Sequence, residues 1–380
     1  MNQILPVESY TSTDYFALEQ THIFTQSWTF AGLTEDLSAS GDYLTVQAGL
    51  ANIVVLKNED GALVAYHNRC RHRGMQLVDG KGSGVKRLTC PYHDWSYGID
   101  GTLKSLPKQK QEFRQIDKSC YSLQKAAVGT WRGMIWVNPN IDAEPVQQWF
   151  SPMNQHIAPY NVDDLVEATS DRENFIIHAN WKLVVENYID HYHLAQLHSG
   201  TLNMYAHNKA SFGFAERHFH FWEPLTDEYR DNLSQFSPLP LLMSQEDEKL
   251  GAYVPMLFPA IGLVESESTW TVFNVIPEAP DRTRVETRTK VKNCSTIRYV
   301  SQAAKSYSFW QQRTRQKDRK LDKSHPLGSA DFMQEDIYVC ESIQKAMRSP
   351  YFSTGPTAEY GESPIRQFRQ QIHQIIKERQ

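Results

Sequence analysis

Cysteine is scarce in this chain: five residues in 380. An odd, sparse set does not make a disulfide framework. In a reducing compartment metal ligation or burial accounts for such cysteines better. Long apolar runs are missing too. ANIVVL stops after six residues and VPMLFPAIGLV carries two prolines, whereas a membrane-spanning helix needs about 20 apolar residues. MNQILPVESYTSTDYF has no basic stretch followed by an apolar one, so no signal peptide and a cytoplasmic location are expected. Nor is there a strong charge excess. The net charge is −5, which gives no general attraction to nucleic acid or to a membrane. A G-x-G-x-x-G dinucleotide fingerprint, a C-x4-C-x2-C ferredoxin spacing, internal repeats and low-complexity segments are all absent from the sequence.

What is there is ordinary globular material, 40% hydrophobic and 22% charged, long enough for two or three domains. Residues 1–39 have a partly helical texture, as in DYFALEQTHIFTQSW. From 40 to about 143 the pattern turns to short β-type runs: DYLTVQ, ANIVVLKN and ALVAYHN. Asp100-Gly101 between WSYGI and TLKSL is a hairpin signal, and TWRGMIWVN reads as a closing strand. From 144 to 380 helix and strand mix. NFIIHANWKLVVENYIDHYHLAQLH reads as a strand running into a helix. HFHFW, STWTVFNVI and RTRVETRTKVKN read as strands, and the tail is helical, with Phe368, Ile372, Ile375 and Ile376 on one face. The expected fold is α+β, an all-β domain inserted on a larger α+β domain.

Two groups of residues carry chemistry. In the first, NRCRHRGMQL holds Cys70 and His72 as Cys-x-His, and LTCPYHDWSYGIDG holds Cys90 and His93 as Cys-x-x-His. Each half brings a thiolate and an imidazole to one pocket. Two cysteines and two histidines suit tetrahedral zinc or an iron–sulfur cluster with mixed ligands. Zinc sites more often pair Cys-x-x-Cys with spaced histidines, so this alternating order favours iron–sulfur.

The second group lies in VVENYIDHYHLAQLHSG, with Glu186, Asp190, His191, His193 and His198. At about 100° per residue, His193 and His198 sit about 140° apart on a straight helix. The helix must therefore end or bulge between them for both to reach one ion, and Ser199-Gly200 is a plausible stop. Glu186, Asp190 and His193 would share a face. Two histidines and a carboxylate on one side of a metal are the arrangement of non-haem Fe(II) oxygenases. A helix whose histidines are satisfied by ordinary packing is the competing reading.

Other residues draw blander readings. His191 should be a packing histidine, and His218 and His220 in HFHFW a polar strand face. Cys120, Cys294 and Cys340 lack a histidine at ligand spacing, and Cys340 should be core. The basic run Arg313 to Lys323 is expected to be a solvated helix face, with docking of an acidic electron donor the alternative.

CRHRG followed by CPYHDWSYGIDGTL resembles the Rieske [2Fe–2S] motif of ring-hydroxylating oxygenase large (α) subunits. The resemblance implies that Cys70 and Cys90 hold one iron and His72 and His93 the other. Asp94 departs from the pattern, since many relatives have glycine there. NWKLVVENYIDHYHLAQLH resembles the same family's iron helix, which implies His193 and His198 as ligands of a mononuclear Fe(II) and Asp190 as a bridging acid. Asp331, Glu335 and Asp336 are the candidates for a third ligand. The family's late pattern, Glu-Asp and then glutamine at a distance, fits Glu335-Asp336 and Gln344 and implies Asp336. Asp331 then remains a candidate helix N-cap. VIPEAPDRTRVE is similar to paired strands of the catalytic domain, so the likeness runs through nearly the whole chain.

The resemblance implies a Rieske domain at 40–143 and a helix-grip-like catalytic domain with an antiparallel sheet at 144–380. Residues 1–39 would be a helical segment packed on that catalytic domain. It further implies O2 and a small organic molecule as substrates, and an NAD(P)H-dependent reductase, with or without a ferredoxin, as electron donor. The assembly would be a head-to-tail homotrimer, in which His93 of one copy reaches His193 of the next through Asp190. Membrane and nucleic-acid partners are not expected. The chain is most similar to the α-only branch that acts on choline, carnitine and betaine-type amines, although many of those relatives have glutamate where this chain has Asp190. Aromatic acids or a specialised metabolite are the alternative substrates. A non-catalytic Rieske electron carrier and a zinc-stabilised binding protein are the rivals of other classes.

Overall fold

The computed structural model describes residues 4–237, 239–301, 324–329 and 331–379. The basic run Arg313 to Lys323 lies outside them. The chain forms two compact units, Leu18–Ser151 and, together, Met1–Ala17 with Pro152–Gln380.

The smaller unit is built from strands. Its main sheet has seven, in the order Thr29–Leu33, Met134–Asn138, Lys125–Trp131, Leu63–His67, Ala51–Lys57, Tyr43–Ala48 and Lys81–Gly82. Arg87–Thr89, Ser96–Gly98 and Leu103–Ser105 make a second, three-stranded sheet. Ala51–Lys57 is buried on both faces and separates two apolar cores. Ile53 and Val55 pack with Leu44, Ile135 and Val137. Val54 and Leu56 pack with Tyr66, Trp95, Tyr97, Cys70 and Cys90. Each such aliphatic side chain, fully buried, contributes about 1.5–3 kcal/mol. The second core is therefore the floor on which both cysteine loops rest.

Two expectations need correction here. TWRGMIWVN is not one closing strand but a hairpin, with Trp131 opposite Met134. Its two turn residues, Arg132 at φ 50° and Gly133 at φ 69°, are both left-handed, as a type I′ turn requires. Nor are residues 1–39 one helical segment of the larger unit. Thr29–Leu33 is a strand of the small unit's sheet, paired with Met134–Asn138. Phe30 drives this, being buried edge-on against Trp136 with ring centroids 6.0 Å apart. The compact units likewise divide after Ser151 rather than at 143, because Val146 packs over the small unit's Gly129.

The larger unit contains a nine-stranded antiparallel sheet. Its path runs Val166–Glu167, Arg282–Val291, Trp270–Ala279, Ile261–Glu265, Gly251–Tyr253, His218–Pro224 and Ser211–Ala215. Glu173–Ile177 and Met256–Leu257 pair off that path. VIPEAPDRTRVE spans the end of Trp270–Ala279, the Pro280-Asp281 turn and the start of Arg282–Val291, two long strands paired up to Ala279 and Arg282. Three helices matter for the site: Trp181–Ile189, Phe332–Met347 and Ser363–Arg379. The last buries Ile365, Phe368, Ile372 and Ile376, a helical stripe, and sets Phe368 edge-on to Trp181 at 5.8 Å.

The Trp181–Ile189 helix is fastened at its base and along its length. Asn180 caps it, accepting from Lys182 N–H. The Tyr10 carbonyl accepts from Asn180 Nδ2 at 3.3 Å and Gln344 Nε2 at 3.1 Å. The Tyr10 hydroxyl donates to Glu186 at 2.5 Å, and Arg369 grips the same carboxylate with two bonds of 3.0 and 2.6 Å. No helix among the described residues is long and apolar enough to cross a membrane.

Candidate metal centres

The two cysteine loops of the small unit repeat one backbone plan. In the first, Cys70 N–H donates to Met75 C=O at 2.7 Å and Gly74 N–H to Cys70 C=O at 2.9 Å. In the second, Cys90 N–H donates to Trp95 C=O at 2.8 Å and Asp94 N–H to Cys90 C=O at 3.0 Å. The fourth residue after each cysteine is left-handed, Gly74 at φ 78° and Asp94 at φ 55°. That explains why glycine suits position 94 and why aspartate, among the residues that tolerate this conformation, can replace it. The histidines sit at different offsets, two and three residues after their cysteines, so the loops present them in turn to a common space. His72 Nδ1 and His93 Nδ1 lie 3.2 Å apart. Both thiols are buried, and burial holds the Cys70 thiol above its ordinary pKa, with Cys90 beside it.

Neighbouring aromatics hold this arrangement. Trp95 stacks on His72, planes 8° apart and centroids at 5.0 Å. Tyr92 lies over His93 at 3.7 Å. The Tyr97 oxygen accepts Arg71 N–H at 2.9 Å, which leaves its own proton to donate to Cys70 Sγ at 3.3 Å. Trp95 and Tyr97 were not among the residues singled out from sequence. Their alternation in WSYG, one strand step apart, was the available signal.

In the larger unit the Trp181–Ile189 helix ends before the histidines rather than between them. Asp190 is already extended, at φ −79° and ψ 113°. His193 and His198 then cap the two ends of a four-residue helix, Leu194–Leu197. Glu186 consequently leaves the face shared by Asp190 and His193, and is committed to Tyr10 and Arg369. The Phe332–Met347 helix supplies Asp336, and Asp331 caps it by accepting from Met333 and Gln334 N–H.

His193 Nε2, His198 Nε2 and a carboxylate oxygen of Asp336 converge within 4.8 Å of one another. Asp336 Oδ1 stands 3.1 Å from His198 Nε2 and 3.7 Å from His193 Nε2. That oxygen is buried without a well-formed hydrogen bond among the described residues, as expected of a donor atom prepared for an ion. Two neutral imidazoles and one carboxylate fit Fe(II). Burial opposes charge on His198, but the neighbouring carboxylates of Asp336 and Glu335 outweigh it and hold the imidazole up at about 9. An arriving cation would displace that proton.

Behind these nitrogens stand two further carboxylates. Asp190 Oδ1 accepts Tyr192 N–H at 2.7 Å, and Oδ2 lies 3.2 Å from His193 Nδ1, close but not aligned as a hydrogen bond. Glu335 Oε2 is hydrogen-bonded to His198 Nδ1 at 2.8 Å. Glu335 was considered from sequence as a ligand; the structure puts it on the far side of His198 from Asp336.

The remaining residues take structural places. His191 packs on Phe212, centroids 4.9 Å apart, with Nε2 2.9 Å from the His207 carbonyl. His218 Nδ1 accepts Phe258 N–H at 3.0 Å, and His220 stacks on His156 at 4.0 Å. Cys340 is core, its thiol 3.7 Å from the Leu183 carbonyl. Cys120 is exposed and Cys294 half-buried.

Paired cysteine–histidine loops in a β unit, with a two-histidine, one-carboxylate centre in an α+β unit, define a protein with one iron–sulfur and one mononuclear metal site. Residues 27–127 match the Rieske [2Fe–2S] domain family, and residues 142–378 match the ring-hydroxylating alpha subunit catalytic domain family. The chain belongs to the ring-hydroxylating oxygenase α-subunit family. The two domains imply a Rieske cluster and a mononuclear iron.

Among curated relatives, the glycine betaine monooxygenase oxygenase subunit of Chromohalobacter salexigens is 35% identical over 199 residues, covering 52% of this chain and 44% of that protein. The chlorobenzene dioxygenase α subunit of a Cupriavidus species is 31% identical over 194 residues, 49% of this chain and 42% of that one. The aligned part thus spans less than half the length of these two relatives. A solved quaternary ammonium Rieske monooxygenase, described with carnitine oxidation and inter-subunit electron transfer, shares the fold. Its TM-score is 0.76 at 22% identity, over 97% of this chain and 94% of that one.

Proposed function

We propose that this chain is the oxygenase component of a Rieske non-haem iron system that hydroxylates or oxidatively demethylates a small quaternary amine of the choline, carnitine or betaine type. The observation that carries the reading is the convergence of His193, His198 and Asp336 in the same chain as the Cys70, His72, Cys90 and His93 loops. An electron carrier or a zinc-stabilised binding protein would need only the second set. The substrate class is supported by the glycine betaine and carnitine relatives. An aromatic substrate is the second reading, favoured by the chlorobenzene dioxygenase match.

In this reading Cys70 and Cys90 hold one iron of the cluster, His72 and His93 the other, and His193, His198 and Asp336 hold the mononuclear iron. When bound, the cluster passes single electrons and the mononuclear iron activates O2. One oxygen atom enters the substrate and the other leaves as water, with two electrons and two protons consumed. The electrons come from NAD(P)H through a separate reductase, with or without a ferredoxin, in the cytoplasm. The chain works as a homotrimer, consistent with the inter-subunit transfer described for the solved relative. His93 of one copy, with Asp190 and His193 of the next, would form the link along which electrons pass.

The chain's own residues orient and partition. Asp190 stands behind His193 and Glu335 behind His198, Asp336 supplies the negative charge, and Trp95 and Tyr97 set the surroundings of the cluster ligands.

The test is O2 uptake with a surrogate reductase and NADH, on glycine betaine, carnitine, choline and benzoate in turn. Uptake stimulated by one of the amines, with matching product, is expected. Stimulation by benzoate alone favours the second reading. Iron-loaded protein that no candidate stimulates and that forms no product overturns the assignment.

A further inference from the structure

Glu335 does not face the converging nitrogens, yet it is one of the most buried acidic groups near them, 5% exposed. A buried carboxylate is costly unless paired and hydrogen-bonded, and the partners it has chosen are informative. Oε2 takes a 2.8 Å bond from His198 Nδ1 and a 3.1 Å bond from Thr201 Oγ1. Adjacent residues on a helix diverge by about 100°, so Glu335 and Asp336 cannot approach His198 from the same side. Asp336 stands at Nε2 and Glu335 at Nδ1. One imidazole is held at both nitrogens by consecutive acids.

The other imidazole is held differently. Asp190 lies 3.2 Å from His193 Nδ1 without hydrogen-bond alignment, and its side chain is 15% exposed against 7% for Glu335.

We infer that Glu335 is a positioning residue for iron binding: it keeps the His198 proton on Nδ1, turns the Nε2 lone pair toward the metal, and is itself locked by Thr201. His198 is therefore the anchoring ligand, and His193, on its looser carboxylate, the adaptable one. This rests on the reading of His193, His198 and Asp336 as the iron site. Carboxylates behind a ligating histidine fix its tautomer and raise its basicity, and their loss costs about 10–100-fold in metal affinity.

The test uses the full chain as Glu335→Leu, Glu335→Gln, Thr201→Val and Asp336→Ala. Fe(II) affinity is measured by competition with a chelator, and near-UV circular dichroism with thermal unfolding of the full chain serves as the control that the larger unit is folded. Glu335→Leu should weaken Fe(II) binding about 10–100-fold. Glu335→Gln, whose amide oxygen still accepts from Nδ1, should weaken it less, and Thr201→Val should act in the same direction. With Co(II) in the site, the wild-type imidazole N–H should give a slowly exchanging, paramagnetically shifted proton resonance, and Glu335→Leu should lose it. A purely structural role would not move that signal.

Wild-type affinity in Glu335→Leu, with iron lost from Asp336→Ala, overturns the inference and leaves the site reading intact. Wild-type affinity in Asp336→Ala overturns the site reading itself. Should Glu335→Leu fail to fold, wild-type affinity in both Glu335→Gln and Thr201→Val overturns the inference.

Discussion

His193 and His198 face each other with their Nε2 atoms 3.2 Å apart. Two imidazole nitrogens at that distance share either a proton or an ion. Each ring has a carboxylate near its opposite nitrogen, Asp190 for His193 and Glu335 for His198. The pair is thus set from behind as well as in front, and the two supports have separable consequences.

Asp190→Asn tests the support on His193. The amide keeps the shape, and in the proposed ligand sets neither metal takes a bond from this carboxylate. Iron content and the cluster's EPR signal should match the wild type, while product formation with reductase present should be nearly abolished. Full turnover in this variant would remove Asp190 from the electron route.

Tyr97→Phe probes the cluster's electronics. A donor to a ligating sulfur stabilises the more electron-rich, reduced state, so its loss lowers the reduction potential. A hydrogen bond of about 1 kcal/mol corresponds to roughly 40 mV for one electron. Spectroelectrochemical titration should find a drop of that order. An unchanged or raised potential would show that the 3.3 Å contact with Cys70 carries no such influence.

Position 94 is a test of backbone strain. With φ at 55°, a β-branched residue should cost about 1–2 kcal/mol. Asp94→Val should lose cluster absorbance at a lower temperature than the wild type on heating, and Asp94→Gly should hold it at least as long. Equal behaviour of the two variants would argue that the loop relaxes.

His220 sets a pH window for the larger unit. Burial, with a smaller contribution from His156, holds its pKa down at about 4 against the ordinary value of 6.5. Above pH 6.5 folded and unfolded chains are both neutral here, and the group contributes no pH dependence. As pH falls from 6.5 toward 4 the unfolded chain binds the proton and the folded one does not, so stability declines across that interval. His220→Phe should flatten this part of the melting-temperature profile. A wild-type profile that does not fall between those values would contradict the assignment.

How much of this was legible beforehand differs from residue to residue. Cys70, His72, Cys90 and His93 announce themselves because chelation fixes short spacings, and spacing is what a sequence preserves. The His193 and His198 pair was visible for the same reason, but the path of the backbone between them was not. A continuous 3.6-residue period through Glu186, Asp190 and His193 looked like one face, whereas the helix stops at Ile189 and the extended Asp190 accepts Tyr192 N–H, two residues ahead. The hairpin at Arg132-Gly133 was missed since only glycine there signals a left-handed residue. Arginine at φ 50° is held by the strands on either side. The family likeness points to Asp336 over Glu335, but no spacing or periodicity in this chain tells what each acid meets. Which acid meets which nitrogen is decided by the rotation of a helix against its neighbour, a tertiary quantity.

Tyr10 ties the segment before Ser12 to the helix leading to His193 and His198, and Arg369 ties the Ser363–Arg379 helix to the same Glu186. Loss of either segment would therefore disturb the positions of His193 and His198 indirectly. Clipping before Ser12 would leave Asn180 and Gln344 without the Tyr10 carbonyl, loosening the base of the helix. For a preparation of this protein, falling iron content with an unbleached cluster would be an early sign that one of these two segments has been cut away.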